Sequence, residues 1–126
     1  MAKGIVIVGA SSKRDRFSNK AVRAYAQKGY RVYAVHPREE TVEELPAYRS
    51  VSDIPDKLDI ASLYVRPEIG MTLLDELADK GIRDVYLNPG AESDELYQRA
   101  RELGLNPMMA CSIRAIGLDP DDFPNE

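Results

Sequence analysis

Tryptophan is absent from this chain of 126 residues, and cysteine and histidine occur once each, as Cys111 and His36. A lone thiol excludes a disulfide framework within the chain and any zinc site built on cysteine pairs. It fits a reducing compartment, so the cytoplasm is the expected location. Long apolar runs are missing as well. The opening Met-Ala-Lys-Gly leads into only four apolar residues, 5–8, too few for a signal-sequence core or a membrane span, so no membrane association is expected. Basic excess is lacking too: 17 Lys and Arg stand against 21 Asp and Glu, a net charge of -4. Bulk nucleic-acid binding draws most of its affinity from a basic face and is therefore not expected. Glycine is scarce at one telling place. After the first apolar run the chain reads Gly9-Ala-Ser-Ser12, which fails the dinucleotide fingerprint Gly-x-Gly-x-x-Gly at both later glycines.

What is present is an alternation of strand and helix signals. Residues 5–8 form a β-branched run bounded by glycines, as expected of a strand buried on both faces of a parallel sheet. Ser18 or Asn19 is positioned to cap a helix with Ala21, Val22, Tyr25 and Ala26 on its inner face and Gly29 at its end. Residues 30–35, 60–65, 84–87 and 107–110 read as four further strands. Helices follow the third, ending at Gly81, and the fourth, capped by Ser93 or Asp94 and closing at Gly104. Between residues 36 and 58, Pro37, Pro46 and Pro55 break any long helix, and a mostly irregular crossover is expected, with one turn starting near Ser52. The result is an α/β chain with a five-stranded parallel sheet in order 3-2-1-4-5 and helices on both faces. One domain, residues 1–118, is expected, followed by an acidic tail, 119–126, prone to fray. Homodimerisation through exposed helices is a further, weaker expectation.

Open parallel sheets bind ligands beyond the carboxyl ends of their strands, which selects five loops. In the first, Gly9 opens a tight turn, Ser11 and Ser12 offer donors, and the next helix directs its N-terminal dipole at an anion. Lys13, Arg14 and Arg16 lie in or beside this loop, able to meet a diphosphate as well as solvent. Arg23, in the helix body, reads as a surface charge. The second strand ends in Val35-His-Pro-Arg38, where NAD-type domains usually carry an acid for the ribose diol. A cation there favours a phosphorylated ribose, as in NADP or coenzyme A, because the Arg38 guanidinium matches phosphate oxygens. His36 has no partner carboxylate or serine in its own loop, so a packing role outweighs catalysis. Arg66, ahead of Pro67, is suited either to clamp phosphate or to pair with Glu68. Asn88-Pro-Gly-Ala-Glu92 offers a flexible turn with an acid at a helix start. Cys111 reads as a packed thiol rather than a nucleophile.

Taken in order, Val8-Gly-Ala-Ser-Ser12, Arg16-Phe-Ser-Asn19, Gly29-Tyr-Arg-Val-Tyr33, His36-Pro-Arg38, Ser52-Asp-Ile-Pro55, Arg66-Pro67 and Cys111 span nearly the whole chain. This ordered set resembles the small stand-alone coenzyme A-binding proteins, whose Rossmann-like domain is similar to the N-terminal domain of succinyl-CoA synthetase α subunits. The resemblance implies a three-layer α/β/α Rossmann-like fold and a ligand-binding set comprising Gly9, Ala10, Ser11, Ser12, Lys13, Arg16, Ser18, His36, Pro37, Arg38, Val65, Arg66, Pro67, Asn88 and Gly90. Within it, Gly9 to Ser12 cradle the CoA diphosphate, the His36 to Arg38 corner receives the phosphorylated adenosine, and Val65 to Pro67 line its other side. His36 and Phe17 depart from the Asn and Pro that relatives often carry. The synthetase's phosphorylated histidine belongs to a second domain, so ligase activity is not implied. CoA or acyl-CoA binding without catalysis is thus the leading expectation. Its rivals are a small NADP-linked oxidoreductase and a thiol protein that forms a mixed disulfide with CoA through Cys111.

Overall fold

The computed structural model describes residues 2–126. Strand β1 (Gly4–Val8) is buried along its whole length, and its alternating side chains point into two separate cores. Ile5 and Ile7 face α1 (Phe17–Gln27), packing with Ala21, Val22 and Tyr25, whereas Val6 and Val8 join Leu63, Leu74, Leu77, Leu87 and Leu96 on the opposite face. That second core is roofed by α2 (Pro67–Asp79) and α3 (Asp94–Glu102). The short α4 (Ser112–Ala115) lies on the α1 side, through Ile113. The architecture is therefore the expected three layers around a mostly parallel sheet.

The sheet itself differs from expectation. It has seven strands: β2 (Arg31–Val35), β3 (Thr41–Val42), β4 (Leu45–Tyr48), β5 (Ile60–Leu63), β6 (Asp84–Leu87) and β7 (Asn106–Met109) join β1 in the order β3-β4-β2-β1-β5-β6-β7. The expected five-stranded order put residues 60–65 outside the second strand, but β5 pairs with β1 instead, Ile5 opposite Ile60 and Val8 opposite Leu63. The outer position is taken by β4, which lies in the stretch expected to be irregular and pairs in parallel with β2 through Ala34–Ala47 and Val35–Tyr48. Its signal was masked by Pro46, which lacks a donor and is tolerated near a sheet edge. β3 then runs antiparallel along β4, Val42 opposite Leu45, joined by Glu43 and Glu44, both in the left-handed region (φ 49° and 70°). The two-residue turn with both φ positive matches the twist of a hairpin. The six parallel strands thus follow a doubly wound order, β4-β2-β1 growing to one side and β5-β6-β7 to the other, with the switch between β1 and β5.

Two local expectations also change. Ser18 and Asn19 do not cap α1; Arg16 occupies the cap position with no side-chain bond, and both residues sit inside the first turn, bonded back to the preceding loop. Part of the C-terminal stretch expected as a tail is docked. Pro120 and Phe123 are buried, and Phe123 packs into the α1-side core. Arg23 is correspondingly more than a surface charge: its guanidinium donates to the Asn19 side chain (2.8 Å), the Arg14 carbonyl (2.7 Å) and the Pro124 carbonyl (2.9 Å), and lies over the Phe123 ring. Among the described residues, no helix is long and apolar enough to cross a membrane.

A docked tail has a measurable consequence. Phe123→Ala is expected to lower unfolding stability by about 2–3 kcal/mol, toward the low end for a buried phenylalanine because the site lies at the rim of the core. Urea denaturation checks it; a fraying tail would leave the midpoint unmoved.

Candidate functional site

The reversal of strand order leaves a cleft of about 570 Å³ at the carboxyl ends of the central strands. Its lining comes from three places: Gly9, Ser11, Ser12, Lys13, Arg16, Phe17 and Ser18 after β1, His36, Arg38 and Glu39 after β2, and Tyr64 after β5. Gly9 is required by geometry. Its φ is +86°, and a Cβ there would stand 2.7 Å from the Tyr64 carbonyl and 3.1 Å from Val65. Any side chain would push the β5 end away and open the floor of the cleft.

The loop is organised from within. The Gly9 and Ala10 amides both donate to the Val35 carbonyl (2.9 and 3.1 Å). The Ser11 amide donates to Ser18 Oγ (3.1 Å), Asn19 Nδ2 to the Ser11 carbonyl (3.0 Å), and the Lys13 amide to Ser11 Oγ (3.0 Å). The Ser12 amide alone in this stretch meets a charge, Glu39 Oε2 at 2.6 Å. Ser18 and Asn19 therefore fasten the loop to α1 instead of capping the helix, and the first turn of α1 carries no acid. Positive ends of such helices favour anions. At the β2 end, His36 Nδ1 accepts the amides of Arg38 and Glu39, each at 3.0 Å. Arg49 Nη1 donates to the carbonyls of His36 (3.1 Å) and Glu39 (2.6 Å). The histidine is a turn-holding residue here, with its acceptor nitrogen already engaged.

A second cavity of about 200 Å³ adjoins the first and shares Phe17 and Tyr64 with it; Asn88, Pro89, Cys111, Arg114 and Pro120 complete its walls. Phe17 is 59% exposed, unusual for a large apolar side chain, and stands at the mouth of both. The wall beneath is a buried polar network. Asn88 Nδ2 donates to Ser62 Oγ and the Leu63 carbonyl (2.9 Å each), while its Oδ1 accepts the Ser112 amide (2.9 Å). Ser112 Oγ is within 2.8 Å of Ser62 Oγ and 3.2 Å of the Tyr64 hydroxyl, and the Tyr25 hydroxyl donates to the Ser112 carbonyl (2.7 Å). Every buried side-chain polar atom among the described residues has a partner. The network ties β5, the residue that follows β6, α1 and α4 together, with Cys111 next in the chain to Ser112.

Of the residues singled out in the sequence, Gly9, Ser11, Ser12, Lys13, Arg16, Ser18, His36 and Arg38 converge on the cleft, and Asn88 and Cys111 on the adjoining cavity. Ala10 is fully buried under the loop and Pro37 is exposed. Val65 packs against Gly9, whereas Arg66 and Pro67 begin α2, with Arg66 exposed and outside both linings. Gly90 lies in an exposed turn whose amide is bonded to Glu92, also outside both. Sequence reasoning missed Glu39, Tyr64 and Pro120, reached Arg114 only as the end of the strand-end loop that starts at Cys111, and noted Phe17 only as a departure from relatives. A phenylalanine within a polar loop was the available signal for Phe17; nothing in the pattern marked Glu39. Among the described residues, no group of three His, Cys, Asp or Glu could hold a metal ion.

Fold and cleft together define a Rossmann-like α/β domain with a basic-rimmed cleft at its switch point. The chain belongs to a family of CoA binding domains, whose model matches residues 3–117. It is 31% identical over 86 residues to the α subunit of the ADP-forming acetate–CoA ligase II of Pyrococcus furiosus, a match covering 68% of this chain and 19% of that subunit. The chain thus spans about a fifth of that relative's length. It is 26% identical over 113 residues to the uncharacterized protein YneT of Bacillus subtilis, covering 90% of this chain and 84% of that one. Among solved structures, a hypothetical protein from Pyrococcus horikoshii OT3 superposes with a TM-score of 0.83 at 35% identity, covering 90% of this chain and 80% of that one.

The polar network carries a pH signature. Burial first of all pushes the Tyr64 hydroxyl up to about 12, and burial likewise raises Tyr25 above the ordinary tyrosine value. Each holds its proton more tightly in the folded chain, so the stability it contributes is complete below about pH 10; the Tyr64 share is lost as pH climbs toward about 12. Urea unfolding across that window should show falling stability in the wild type and a shallower fall in Tyr64→Phe; equal slopes would contradict the assignment.

Proposed function

We propose that this chain holds coenzyme A, free or acylated, along the carboxyl edge of its sheet and acts as a binding module without chemistry of its own. The observation that carries the reading is a basic-rimmed cleft at the switch point of a chain that belongs to a CoA binding domain family. In this reading the diphosphate lies against the Ser12 amide and the open first turn of α1, with Lys13 and Arg16 beside it. Arg38 takes the 3′-phosphate of the adenosine ribose, and the pantetheine arm runs between Phe17 and Tyr64 toward the second cavity. That His36 is engaged in holding its own turn supports binding over acid-base chemistry. The ligase activity of the longer relative is not carried over, since only a fifth of that subunit is matched.

Titration calorimetry with CoA, 3′-dephospho-CoA and NADP tests the reading. CoA is expected to bind most tightly, with about tenfold or greater loss on removal of the 3′-phosphate, the scale of one charge-assisted contact. Arg38→Ala should abolish most of that difference while leaving dephospho-CoA binding little changed. Tight NADP binding with no response to CoA would overturn it.

The position of Cys111 in the wall of the second cavity favours a second reading, in which its thiolate attacks a CoA disulfide, forms a Cys111–CoA mixed disulfide and releases the other thiol. Intact mass after incubation with oxidised CoA should show a CoA-sized adduct that reductant removes and Cys111→Ser lacks; an unmodified wild type would exclude it.

A further inference from the structure

Five consecutive amides, from Gly9 to Lys13, form the inner edge of the loop after β1. Four of them are bonded to neutral oxygens of the scaffold: Gly9 and Ala10 to the Val35 carbonyl, Ser11 to Ser18 Oγ, and Lys13 to Ser11 Oγ. The Gly9 and Ala10 bonds are part of the backbone scaffold, and the Ser11 and Lys13 amides are held by serine hydroxyls of the loop and of α1. The fifth, Ser12, donates to Glu39 Oε2 at 2.6 Å, and both residues line the cleft. A carboxylate oxygen on a loop amide, beside a helix N-terminus and basic side chains, occupies the kind of position a phosphate oxygen would take.

The rest of the Glu39 residue is fixed, which leaves only its side chain to move. Its amide is held by His36 Nδ1 and its carbonyl by Arg49 Nη1. Rotation about the side-chain torsions would withdraw the carboxylate and free the Ser12 amide with no change in the backbone of either loop. The side chain is part-exposed and has room to turn toward solvent. The charged and titratable groups around it are Lys13 and Arg16 from the β1 loop, His36 and Arg38 from its own turn, and Arg49 beyond β4.

We propose that Glu39 is a built-in stand-in for a ligand phosphate, which holds the Ser12 amide in the ligand-free chain and must be displaced for an anion to bind. The proposal rests on reading the cleft as a phosphate site. It makes Glu39 an internal competitor, whose displacement weakens the binding of every anion that takes the Ser12 amide by the same factor. A small anion with one point of contact gains from Ser12 little more than it displaces. A diphosphate also reaches the first turn of α1 and the Lys13 and Arg16 cations, and so gains a net advantage. The stand-in also keeps the loop amide from being left without a partner between ligands. The Glu39 carboxyl is held below the usual carboxylate range, chiefly by the Ser12 donors, then by His36 and Lys13 nearby, so the stand-in is charged at neutral pH.

Two measurements on the full chain test this. In the amide spectrum of 15N-labelled wild type, the Ser12 resonance should titrate with a carboxylate of lowered pKa, shifting upfield as acid breaks the bond; inorganic pyrophosphate should abolish that titration, and Glu39→Gln should lack it. In calorimetry, Glu39→Ala should bind pyrophosphate and CoA about threefold to tenfold more tightly than wild type, and inorganic phosphate should gain by a similar factor. Unchanged or weaker binding by Glu39→Ala, or a Ser12 amide indifferent to the Glu39 titration, would overturn the proposal. A gain for pyrophosphate with no CoA binding by either protein would uphold the stand-in and refute the CoA reading, so the two fail separately.

Discussion

The close approach of Gly9 to the end of β5 is the constraint on which the site depends. β1 lies between β2, which follows it through α1, and β5, which the chain reaches only after passing β3 and β4. Its last turn must therefore pass beneath the carbonyl of Tyr64 while its amide reaches the Val35 carbonyl on the other side. Only a residue without Cβ, in the left-handed region, satisfies both. The single glycine that fails a dinucleotide fingerprint is enough for this turn. What the two absent glycines would have supplied is further close approach of backbone to ligand and of helix to strand. In their place stand Ser12, whose amide is reached through a side chain's departure, and a loop laced to α1 by Ser18 and Asn19.

Beneath the second cavity the chain solves a different problem. The carboxyl ends of β5 and β6 meet α4 with backbone groups that would be orphaned in an apolar interior. Asn88, Ser62, Ser112 and Tyr25 satisfy them in one continuous set of bonds. A fully satisfied buried network is rigid, because each bond fixes the donor of the next and no member can leave without stranding another. Cys111 follows β7 immediately before this set and inherits its position from it. The cavity wall is thus stiff on the side of Asn88 and Ser112, while Phe17 on the opposite side is exposed and anchored only through its own helix turn.

Legibility in the sequence followed burial only in part. β1 and β5, buried at every residue, were readable because apolar runs are what a sheet covered on both faces requires, whereas β2, β6 and β7, less buried, were marked by short apolar runs that follow a helix-ending glycine. β4 was not, because it buries little, carries Pro46, and is held mainly by pairing to β2 rather than by a pattern of its own. Missing it moved residues 60–65 to the wrong side of the sheet. At the site, side chains that act from the loop after β1 were found from local chemistry. Glu39, Tyr64 and Arg114 come to the same cavities from elements distant in sequence, and only the topology brings them there. Ser18 and Asn19 had the right residue types for a helix cap but are used one turn late, because the loop, not the helix, had the donors and acceptors to be satisfied.

The basic run at residues 13–23 also takes on a different meaning. In an acidic chain such a cluster is self-repelling unless counter-charges are near, and the counter-charges here come from the crossover after β2. Glu43 Oε2 lies 3.6 Å from Arg14 and accepts from Asn19, and Glu39 holds Ser12. Glu43 reaches that position from a left-handed backbone, a conformation costing on the order of 1 kcal/mol for a residue with a side chain. Arg23, bonded to Asn19, the Arg14 carbonyl and Pro124, extends the same set of contacts to the C-terminal residues. The loop after β1 is thereby held between two segments that the strand order alone brings beside it. Its basic residues divide accordingly: Arg14 and Arg23 serve the scaffold, whereas Lys13 and Arg16 remain on the rim of the cleft. A single stretch of like charge in the sequence is thus two populations in the fold, and net charge alone gives no measure of what the cleft presents to an anion.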